Sequence, residues 1–377
     1  MSQAVPLKDI ASVFLKLGIV GFGGPAAHIA MMREEVVLKR NWLSEQEFLD
    51  LIGATNLIPG PNSTELAIHI GQVKGGWKGL IVAGLCFILP AVFITGVFAF
   101  LYKKYGALPS VQPFLYGIKP AIIAIILGAV FPLAKKSMKT IPLIIIAIAV
   151  LAGALFGLSE ILLLFGAGIL MIVFTYWKSY FHNRLSTLFP AILLVGGNIT
   201  KISASNVGLF WIFLKIGSIL YGSGYVLFAF LDSELVSRGL LTRQQLIDAV
   251  AVGQFTPGPV FSSVTFIGYQ IGGISGATIS TLGIFLPSFV FVALLSLIVK
   301  KLRSSPMFSV FLDAVNAASV SIIIAVCIEM STDAITDWRT ALIAVISMAI
   351  VFRFRKLNSA FIVIAGALAG YLLSLVN

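Results

Sequence analysis

The chain has 377 residues, of which 59% are hydrophobic and only 11% are charged, and its mean hydropathy is +1.03. This composition excludes a soluble globular domain. The formal net charge of +11 fits the excess of Lys and Arg in the cytoplasmic loops of membrane proteins, so we expect no nucleic-acid partner. Uncharged stretches such as 141–158 and 161–177 are about 17 to 20 residues long, enough to cross a bilayer. The sequence therefore predicts an all-α, polytopic protein in a lipid bilayer.

No enzyme or metal motif is found in the sequence. The segment MSQAVPLKDIASVF has neither a basic region nor a small-residue cleavage site, so we expect no signal peptide. Cys86 and Cys327 lie in apolar runs without a CxxC spacing, which argues against a disulfide framework or a zinc site. HExxH and P-loop motifs are missing as well. We therefore expect a protein that is not an enzyme, with no cofactor and no direct use of ATP.

An internal repeat organises the chain. Three segments return in the same order at an offset of about 198 residues: 14–24 at 213–223, 43–61 at 241–259, and 75–93 at 272–290. This predicts an N-terminal repeat at 1–186 and a C-terminal repeat at 207–377. A linking transmembrane helix at 187–206 is expected to join them.

Each repeat contains the same predicted elements in chain order. A broken apolar element comes first, at 9–31 and 208–230. A hairpin with Pro-Gly-Pro at its apex follows, at 45–74 and 243–271. Four long helices complete each repeat, at 76–101, 113–134, 141–158 and 161–177, and at 274–299, 308–330, 338–353 and 358–376.

Loop charges predict that the two repeats have inverted topology. Basic residues follow the second and fourth long helices of the first repeat, but the first and third of the second repeat. They are Lys135, Lys136, Lys139, Lys178 and Arg184, and Lys300, Lys301, Arg303, Arg353, Arg355 and Lys356. The positive-inside rule then places the repeats in opposite orientations, although Lys103 and Lys104 depart from the pattern. The inversion requires each broken element and each hairpin to enter and leave the membrane on one side.

The string FGGPAAH breaks the first apolar element and is a candidate anion site. It contains Phe22, Gly23, Gly24, Pro25 and His28. Broken helices in transporters present N-terminal N–H groups and a positive dipole end near the midplane, and these bind anions. Glycine allows close approach, and proline starts a helix without wasting an N–H. The alternative is that these residues serve helix packing or kinking.

The Pro-Gly-Pro segments provide two further breaks at matched positions. NLIPGPNSTE offers Asn62, Ser63 and Thr64 as capping residues, and QFTPGPVFSS is its repeat. Paired breaks of this kind indicate a transporter binding site. The candidate substrate-binding residues here are Asn56, Pro59, Gly60, Pro61, Gln254, Pro257, Gly258 and Pro259.

Several ionisable residues lie within the apolar segments. Lys16 and Lys215 occupy equivalent positions, and we assign them to the substrate site, with snorkelling to headgroups as the alternative. Glu65 and His69 are four residues apart and are candidates for a proton relay, or else a surface pair. The cluster of Arg33, Glu34 and Glu35 is expected to be solvated. Asp50 and Asp248 match each other and are expected to brace the hairpins.

Together these motifs resemble the chromate ion transporter family, in its long form with two fused homologous domains. FLKLGIVGFGGPAAHIAMMREEVV, NLIPGPNSTELAIHIG and FILP carry the resemblance, which covers nearly the whole chain. It implies a multi-pass carrier of the inner (plasma) membrane that exports chromate and confers chromate resistance. The second repeat keeps Pro257, Gly258 and Pro259 but has YGSGY in place of FGGPA, so its anion loop is expected to be degenerate. The amide that precedes Pro-Gly-Pro by three residues is Gln254 in one repeat and Asn56 in the other.

Two alternatives to chromate export stay open. One is a carrier of another oxyanion such as sulfate or molybdate, and the other is an anion channel. The coupling ion is also open, since protons, a counter-anion or the membrane potential alone could drive transport. The sequence is compatible with a homo-oligomer.

Overall fold

A computed structural model of the chain describes residues 5–22, 24–106, 108, 110–180, 206–221, 224–303, 306–354 and 357–375. Within these ranges the chain is helical and contains no strand. Gly23 and most of the predicted linking helix, 187–205, lie outside the described residues. The α-helices are α1 (Leu7–Val20), α2 (Gly24–Arg33), α3 (Glu45–Thr55), α4 (Asn62–Tyr105), α5 (Gln112–Ser137), α6 (Ile141–Leu155), α7 (Glu160–Tyr180), α8 (Asn206–Ile219), α9 (Val226–Leu231), α10 (Arg243–Phe255), α11 (Ser263–Arg303), α12 (Pro306–Ala334), α13 (Trp338–Arg353) and α14 (Ser359–Ser374).

The first repeat is interrupted where the sequence predicts. α1 ends at Gly21, and α2 begins after a short break. A capping box of Ser44 and Glu47 starts α3, and the first Pro-Gly-Pro separates α3 from α4. α4 folds back at Gly76 (φ 59°, ψ −149°), so it consists of a short arm, 62–75, and a long arm, 77–105.

The second repeat follows the same plan. A Thr242–Gln245 capping box starts α10. The second Pro-Gly-Pro leads through a 3₁₀ turn (Val260–Ser262) into α11, which folds at Gly273 (φ 63°, ψ −149°) into a short arm and a long arm, 274–303. In both repeats a glycine on the short arm packs on a glycine of the long arm, which allows close backbone contact. The pairs are Gly71 with Gly79 and Gly268 with Gly276.

Four described helices are long and apolar enough to cross a membrane, namely Asn62–Tyr105, Gln112–Ser137, Val260–Leu295 and Pro306–Ala334. Four shorter apolar helices of 10–17 residues accompany them. The prediction of an all-α polytopic membrane protein is confirmed.

The repeats are inverted, because equivalent helices run antiparallel. Tyr116 at the start of α5 donates a hydrogen bond to Asp337, just past the end of α12, and so holds the pKa of that carboxyl below its usual value. At the other end, Lys139 follows α5 and pairs with Asp313 at the start of α12, at 3.7 Å. The pseudo-two-fold axis that relates the repeats is therefore perpendicular to the helices and lies in the membrane plane. We call the side where α5 ends and α12 begins the basic face, since Lys135, Lys136, Lys139 and Arg353 belong to it.

The first two elements of the first repeat are re-entrant. Val5 N–H donates to the Lys74 carbonyl at 2.9 Å, which ties the start of α1 to the end of the short arm of α4. Lys16 pairs with Glu35, so the segment after α2 returns alongside α1. Both segments thus enter and leave on the basic face, as the inversion requires.

The two repeats interlock in the core. α5 packs between α13 and α14 of the other repeat, and α12 packs between α6 and α7. Gly117 lies against Gly366 and Gly370, while Gly168 lies against Phe311. Each repeat therefore completes its core only with helices of the other.

Candidate functional site

The two Pro-Gly-Pro tips reach the middle of the protein. Gly258 lies against Phe87 and Ala91, midway along the long arm of α4, and a Cβ at Gly258 would be 2.9 Å from the Ala91 Cβ. Gly60 lies against Ser288, midway along the long arm of α11. Both glycines have positive φ, 131° at Gly60 and 84° at Gly258, which other residues adopt only with strain.

Each tip binds the broken first helix of the other repeat. Gly60 N–H donates to the Leu220 carbonyl at 2.7 Å, and Gly258 N–H donates to the Gly21 carbonyl at 2.8 Å. Leu220 and Gly21 directly follow α8 and α1, where helix carbonyls lose their intrahelical partners. We call this meeting of four interrupted segments the crossing. The two glycine amides are engaged in it, so other groups must supply donors for a ligand there.

His28 connects two of the four segments, the first break and the first Pro-Gly-Pro segment. Its Nε2 is 2.8 Å from the Gly21 carbonyl oxygen, and its Nδ1 is 3.2 Å from Ser63 Oγ. A carbonyl can only accept, so Nε2 carries the hydrogen, and in the neutral ring Nδ1 accepts from the Ser63 hydroxyl. The ring also packs edge-on against Phe87 with a centroid distance of 5.3 Å. His28 thus fixes the Gly21 carbonyl that Gly258 also binds.

Glu65 and His69 lie on the short arm of α4 just after the first tip. Glu65 is 0% exposed, and Ser288 donates a hydrogen bond of 2.6 Å to its Oε1. His69, one turn further on, is also buried. The interpretation as a surface pair is therefore wrong.

Lys16 and Lys215 form equivalent ion pairs. Lys16 Nζ is 2.8 Å from Glu35 Oε1, and Lys215 Nζ is 2.6 Å from Glu234 Oε1. Both lysine side chains are about half exposed, whereas the two glutamates are nearly buried. Lys16 lies about one and a half turns before the break, so the structure brings it to a carboxylate rather than to the tips.

The glutamates of these pairs were missed by sequence reasoning. Glu35 was expected in a solvated cluster with Arg33 and Glu34, but its carboxylate is buried between α1 and the segment after α2. The signal was present, because Glu35 and Glu234 each follow their lysine by 19 residues. Such a duplicated pair is expected to have a common structural role.

The remaining predicted residues frame the crossing. Phe22 is 37% exposed, and Gly24 has φ 78° with open space around its Cα. Pro25 lies in the first turn of α2. The Pro-Gly-Pro prolines, Pro59, Pro61, Pro257 and Pro259, flank the two tips. Asn56 accepts a hydrogen bond of 2.8 Å from Asn62, while Gln254 is buried and accepts from Tyr225 at 3.3 Å.

A cavity of about 210 Å³ leads from the basic face to the first tip. Asn56, Ile58 and Asn62 form its inner end, and Lys136 and Lys139 lie at its outer end. Polar side chains of α12 complete the wall, namely Asp313, Asn316 and Ser319. The lining also includes the apolar Ile58, Leu133, Val226, Val320 and Ile323, so it is mixed, with two lysines at the mouth.

The equivalent positions on the opposite side of the crossing are closed. The cavity residues Asn56, Asn62 and Leu133 are exposed or partly exposed, whereas the residues at the equivalent positions of the second repeat, Gln254, Val260 and Met330, are buried. Above them, Tyr102 donates to Asp248 at 2.6 Å, and Phe98 packs edge-on against Phe255. Asp248 is buried, whereas its mate Asp50 is exposed. Within the described residues, the first repeat thus has a cavity between the basic face and its tip, and the equivalent positions of the second repeat are packed.

These features define a class of protein. Helical membrane proteins built from inverted repeats, with interrupted segments that meet at mid-depth, are transporters. The sequence model of the chromate transporter family matches the chain twice, at residues 8–172 and 207–371. The chain therefore belongs to the chromate transporter family, and the two matches confirm the internal repeat.

Relatives that match over nearly their full length are named as chromate transport proteins or as a probable one. The chain is 32% identical over 380 residues to the chromate transport protein of Cupriavidus metallidurans, covering 97% of this chain and 92% of that protein. It is 31% identical to the probable chromate transport protein of Synechococcus elongatus, covering 97% and 95% of the two chains. It is 29% identical to the chromate transport protein of Pseudomonas aeruginosa, covering 98% and 94%. No solved structure matches the chain.

Proposed function

We propose that the protein is a secondary transporter that exports chromate from the cytoplasm across the inner (plasma) membrane and thereby confers chromate resistance. The observation that carries the proposal is the cavity that runs from the basic face, where two lysines line it, to the crossing. Two of the relatives are named chromate transport proteins and a third a probable one, which supports chromate as the substrate.

The cavity suits a small tetrahedral dianion. Lys136 and Lys139 outweigh the single charge of Asp313 at the mouth, so the mouth attracts anions from the cytoplasm, which the positive-inside rule assigns to this face. Asn56 and Asn62 at its inner end supply amide donors without a fixed charge. Beyond them the substrate meets the FGGP break and the two Pro-Gly-Pro tips, which we retain as the proposed site. Lys16 and Lys215 are proposed to support this site from α1 and α8 through their pairs with Glu35 and Glu234.

Alternating access explains why only one side of the crossing is open. The repeats are related by pseudo-symmetry, yet the cavity of one has a packed counterpart in the other. If the first repeat adopted the packed arrangement of the second, and the second the open arrangement of the first, the cavity at Asn56 and Asn62 would close. A cavity would then open on the other side, next to Tyr102 and Asp248. The hydrogen bonds between each tip and the other repeat's break provide the contacts that rearrange.

The membrane potential is sufficient to drive export. Moving one charge through 100 mV is worth about 2.3 kcal/mol, so a dianion leaving a cell that is about 150 mV negative inside gains roughly 7 kcal/mol. This favours export over import for chromate.

Two alternatives to chromate export are the transport of another oxyanion and an anion channel. Sulfate and molybdate share the shape and charge of chromate, so the protein could carry either. An anion channel would use the same charged mouth, but a channel has no need of a sealed second side such as the Tyr102–Asp248 contact.

Uptake into inverted membrane vesicles tests the proposal. With the potential clamped and the proton gradient varied, we expect saturable chromate uptake that competes with sulfate only weakly. Lys136→Ala should raise the KM for chromate several-fold, whereas Lys135→Ala, next to it but outside the cavity lining, should not. Uptake of sulfate in preference to chromate would change the substrate, large unitary currents would favour a channel, and the absence of chromate flux would refute the proposal.

A further inference from the structure

Glu65 is an acid at the centre of the protein without a counter-charge. Its side chain is 0% exposed, and Oε2 has no hydrogen-bond partner among the described residues. None of the salt bridges in the described ranges includes Glu65. A carboxylate buried in this way is strongly disfavoured, so the side chain is expected to hold a proton in this conformation. An ionisable residue within the membrane that is kept despite this penalty indicates a functional site.

The position of Glu65 links it to both repeats. Its Oε1 lies so close to Gly60 that a Cβ there would collide with the carboxylate, and Gly60 in turn binds the Leu220 carbonyl of the other repeat. Ser288, its hydrogen-bond partner, belongs to α11. Asn62, at the inner end of the cavity, is one helical turn before Glu65 on the same arm. Any movement of the tip therefore changes the surroundings of the carboxyl group.

An oxyanion that passes the first tip comes close to Glu65. In a low-dielectric interior a carboxylate and a dianion repel each other strongly, so both cannot occupy the crossing while Glu65 is ionised. Binding of the oxyanion and binding of a proton to Glu65 are then favourable together.

Building on the proposed function, we propose that Glu65 is a proton-binding site and that each chromate dianion crosses together with one proton on its carboxyl group. The proton comes from water on the basic face while the cavity is open, and it is released on the opposite side after the repeats rearrange. The substrate carries two negative charges and the proton one positive charge, so each cycle moves one net negative charge. The membrane potential then supplies half of the driving force that it would give to the dianion alone, which still favours export. The protein is then a symporter of protons and oxyanions.

The neighbouring titratable groups fit a single proton site. His69 lies between Glu65 and the basic face on the same arm and is the candidate relay. His28 on α2 reaches the arm through Ser63, and Tyr221 follows the Leu220 carbonyl at the second break. Across the pseudo-symmetry, Ser263 stands at the position of Glu65 and Ala91 at that of Ser288. Because only one of the two repeats has a carboxyl at this position, we expect one proton per cycle.

The number of charges moved per chromate tests this proposal. Purified protein is reconstituted into proteoliposomes with a chromate gradient. The membrane potential at which the net chromate flux is zero then gives the number of charges moved per chromate. We expect one net negative charge per chromate, with proton movement in the same direction, for the wild type. Glu65→Gln, which keeps an oxygen to accept from Ser288, should still carry chromate but move two charges and no proton.

A second variant keeps the proposal testable if Glu65→Gln is inactive. Ser288→Ala removes a hydroxyl that stabilises the deprotonated carboxylate, so the pH of half-maximal transport should rise by about one unit. Ser280→Ala, a buried serine of the same helix, is the matched control and should leave the profile unchanged. Wild-type chromate flux that moves two charges and no proton would overturn the proton site and leave chromate transport intact. Absence of chromate flux in the wild type would instead refute the proposed function.

Discussion

The amide of Gly258 donates a hydrogen bond of 2.8 Å to the carbonyl of Gly21. This bond joins the tip of the second repeat to the end of the first helix of the other repeat, and Gly60 makes the equivalent bond to Leu220. The two breaks are therefore not independent kinks. Each is completed by the other repeat, so a relative movement of the repeats must remake the crossing.

Alanine at Gly60 or Gly258 is expected to disrupt the crossing. Both glycines have positive φ, and a Cβ at either position would meet a neighbour, the Glu65 carboxylate at Gly60 and Ala91 at Gly258. Gly157→Ala is the matched control, because its φ is 77° and nothing lies within 4 Å. The control should cost about 1 kcal/mol of stability for the backbone strain alone. Thermal unfolding in detergent should show a larger loss at both tips, and equal losses at all three positions would contradict the packing described here.

His28→Ala is expected to abolish chromate efflux while the protein still folds. The substitution leaves the Gly21 carbonyl with its bond from Gly258 but removes the link to Ser63. His28→Asn, which retains an amide donor, should keep part of the activity. Efflux from loaded cells, normalised to protein in the membrane, measures the effect, and wild-type rates for His28→Ala would remove this residue from the site.

Lys16→Ala is expected to abolish chromate efflux with normal expression. Glu35 retains Lys39 at 3.3 Å and Arg40 at 3.6 Å, so removal of Lys16 leaves no uncompensated buried charge. The loss would therefore report on transport and not on folding. Uptake into inverted vesicles is the measurement, and Lys215→Ala tests the equivalent pair. If Lys16→Ala transports chromate normally, the lysine serves only to hold the hairpin.

Tyr102→Phe is expected to open the sealed side more often. The substitution removes the 2.6 Å hydrogen bond to Asp248 and little else. A cysteine at Met330, which is buried at the position equivalent to the cavity residue Leu133, should then react several-fold faster with a membrane-impermeant thiol reagent added outside. Tyr105→Phe, an exposed neighbour on the same helix, is the control. An unchanged reaction rate in Tyr102→Phe would show that this contact does not hold the seal.

Local signals in the sequence predicted much of the fold. Gly and Pro interrupt helices through their own backbone geometry, so their positions in the sequence show where a helix breaks. The breaks near Gly21 and at the two Pro-Gly-Pro segments were therefore predicted at the correct residues. Loop charges predicted the inversion, which the antiparallel α5 and α12 confirm. These features depend on short stretches of chain or on the bilayer, and both can be read without a tertiary structure.

The contacts between repeats could not be predicted from local patterns. The bond from Gly60 to Leu220, and the Ser288 hydroxyl that meets Glu65, join residues far apart in the chain. The burial of Asp248 but not of its mate Asp50 depends on which side of the crossing is closed. Two positions with the same local sequence pattern therefore have different environments, and only the arrangement of the two repeats separates them.

The most direct test of the account uses a single cysteine at Asn62, at the inner end of the cavity, with Cys86 and Cys327 replaced by serine. The rate at which a membrane-impermeant thiol reagent modifies this cysteine is measured from each side, with and without chromate. We predict modification from the cytoplasmic side that chromate slows in a saturable manner, whereas a cysteine at Ser137, at the mouth, is slowed much less. Modification of the Asn62 cysteine that is unaffected by saturating chromate would contradict an oxyanion path through the crossing.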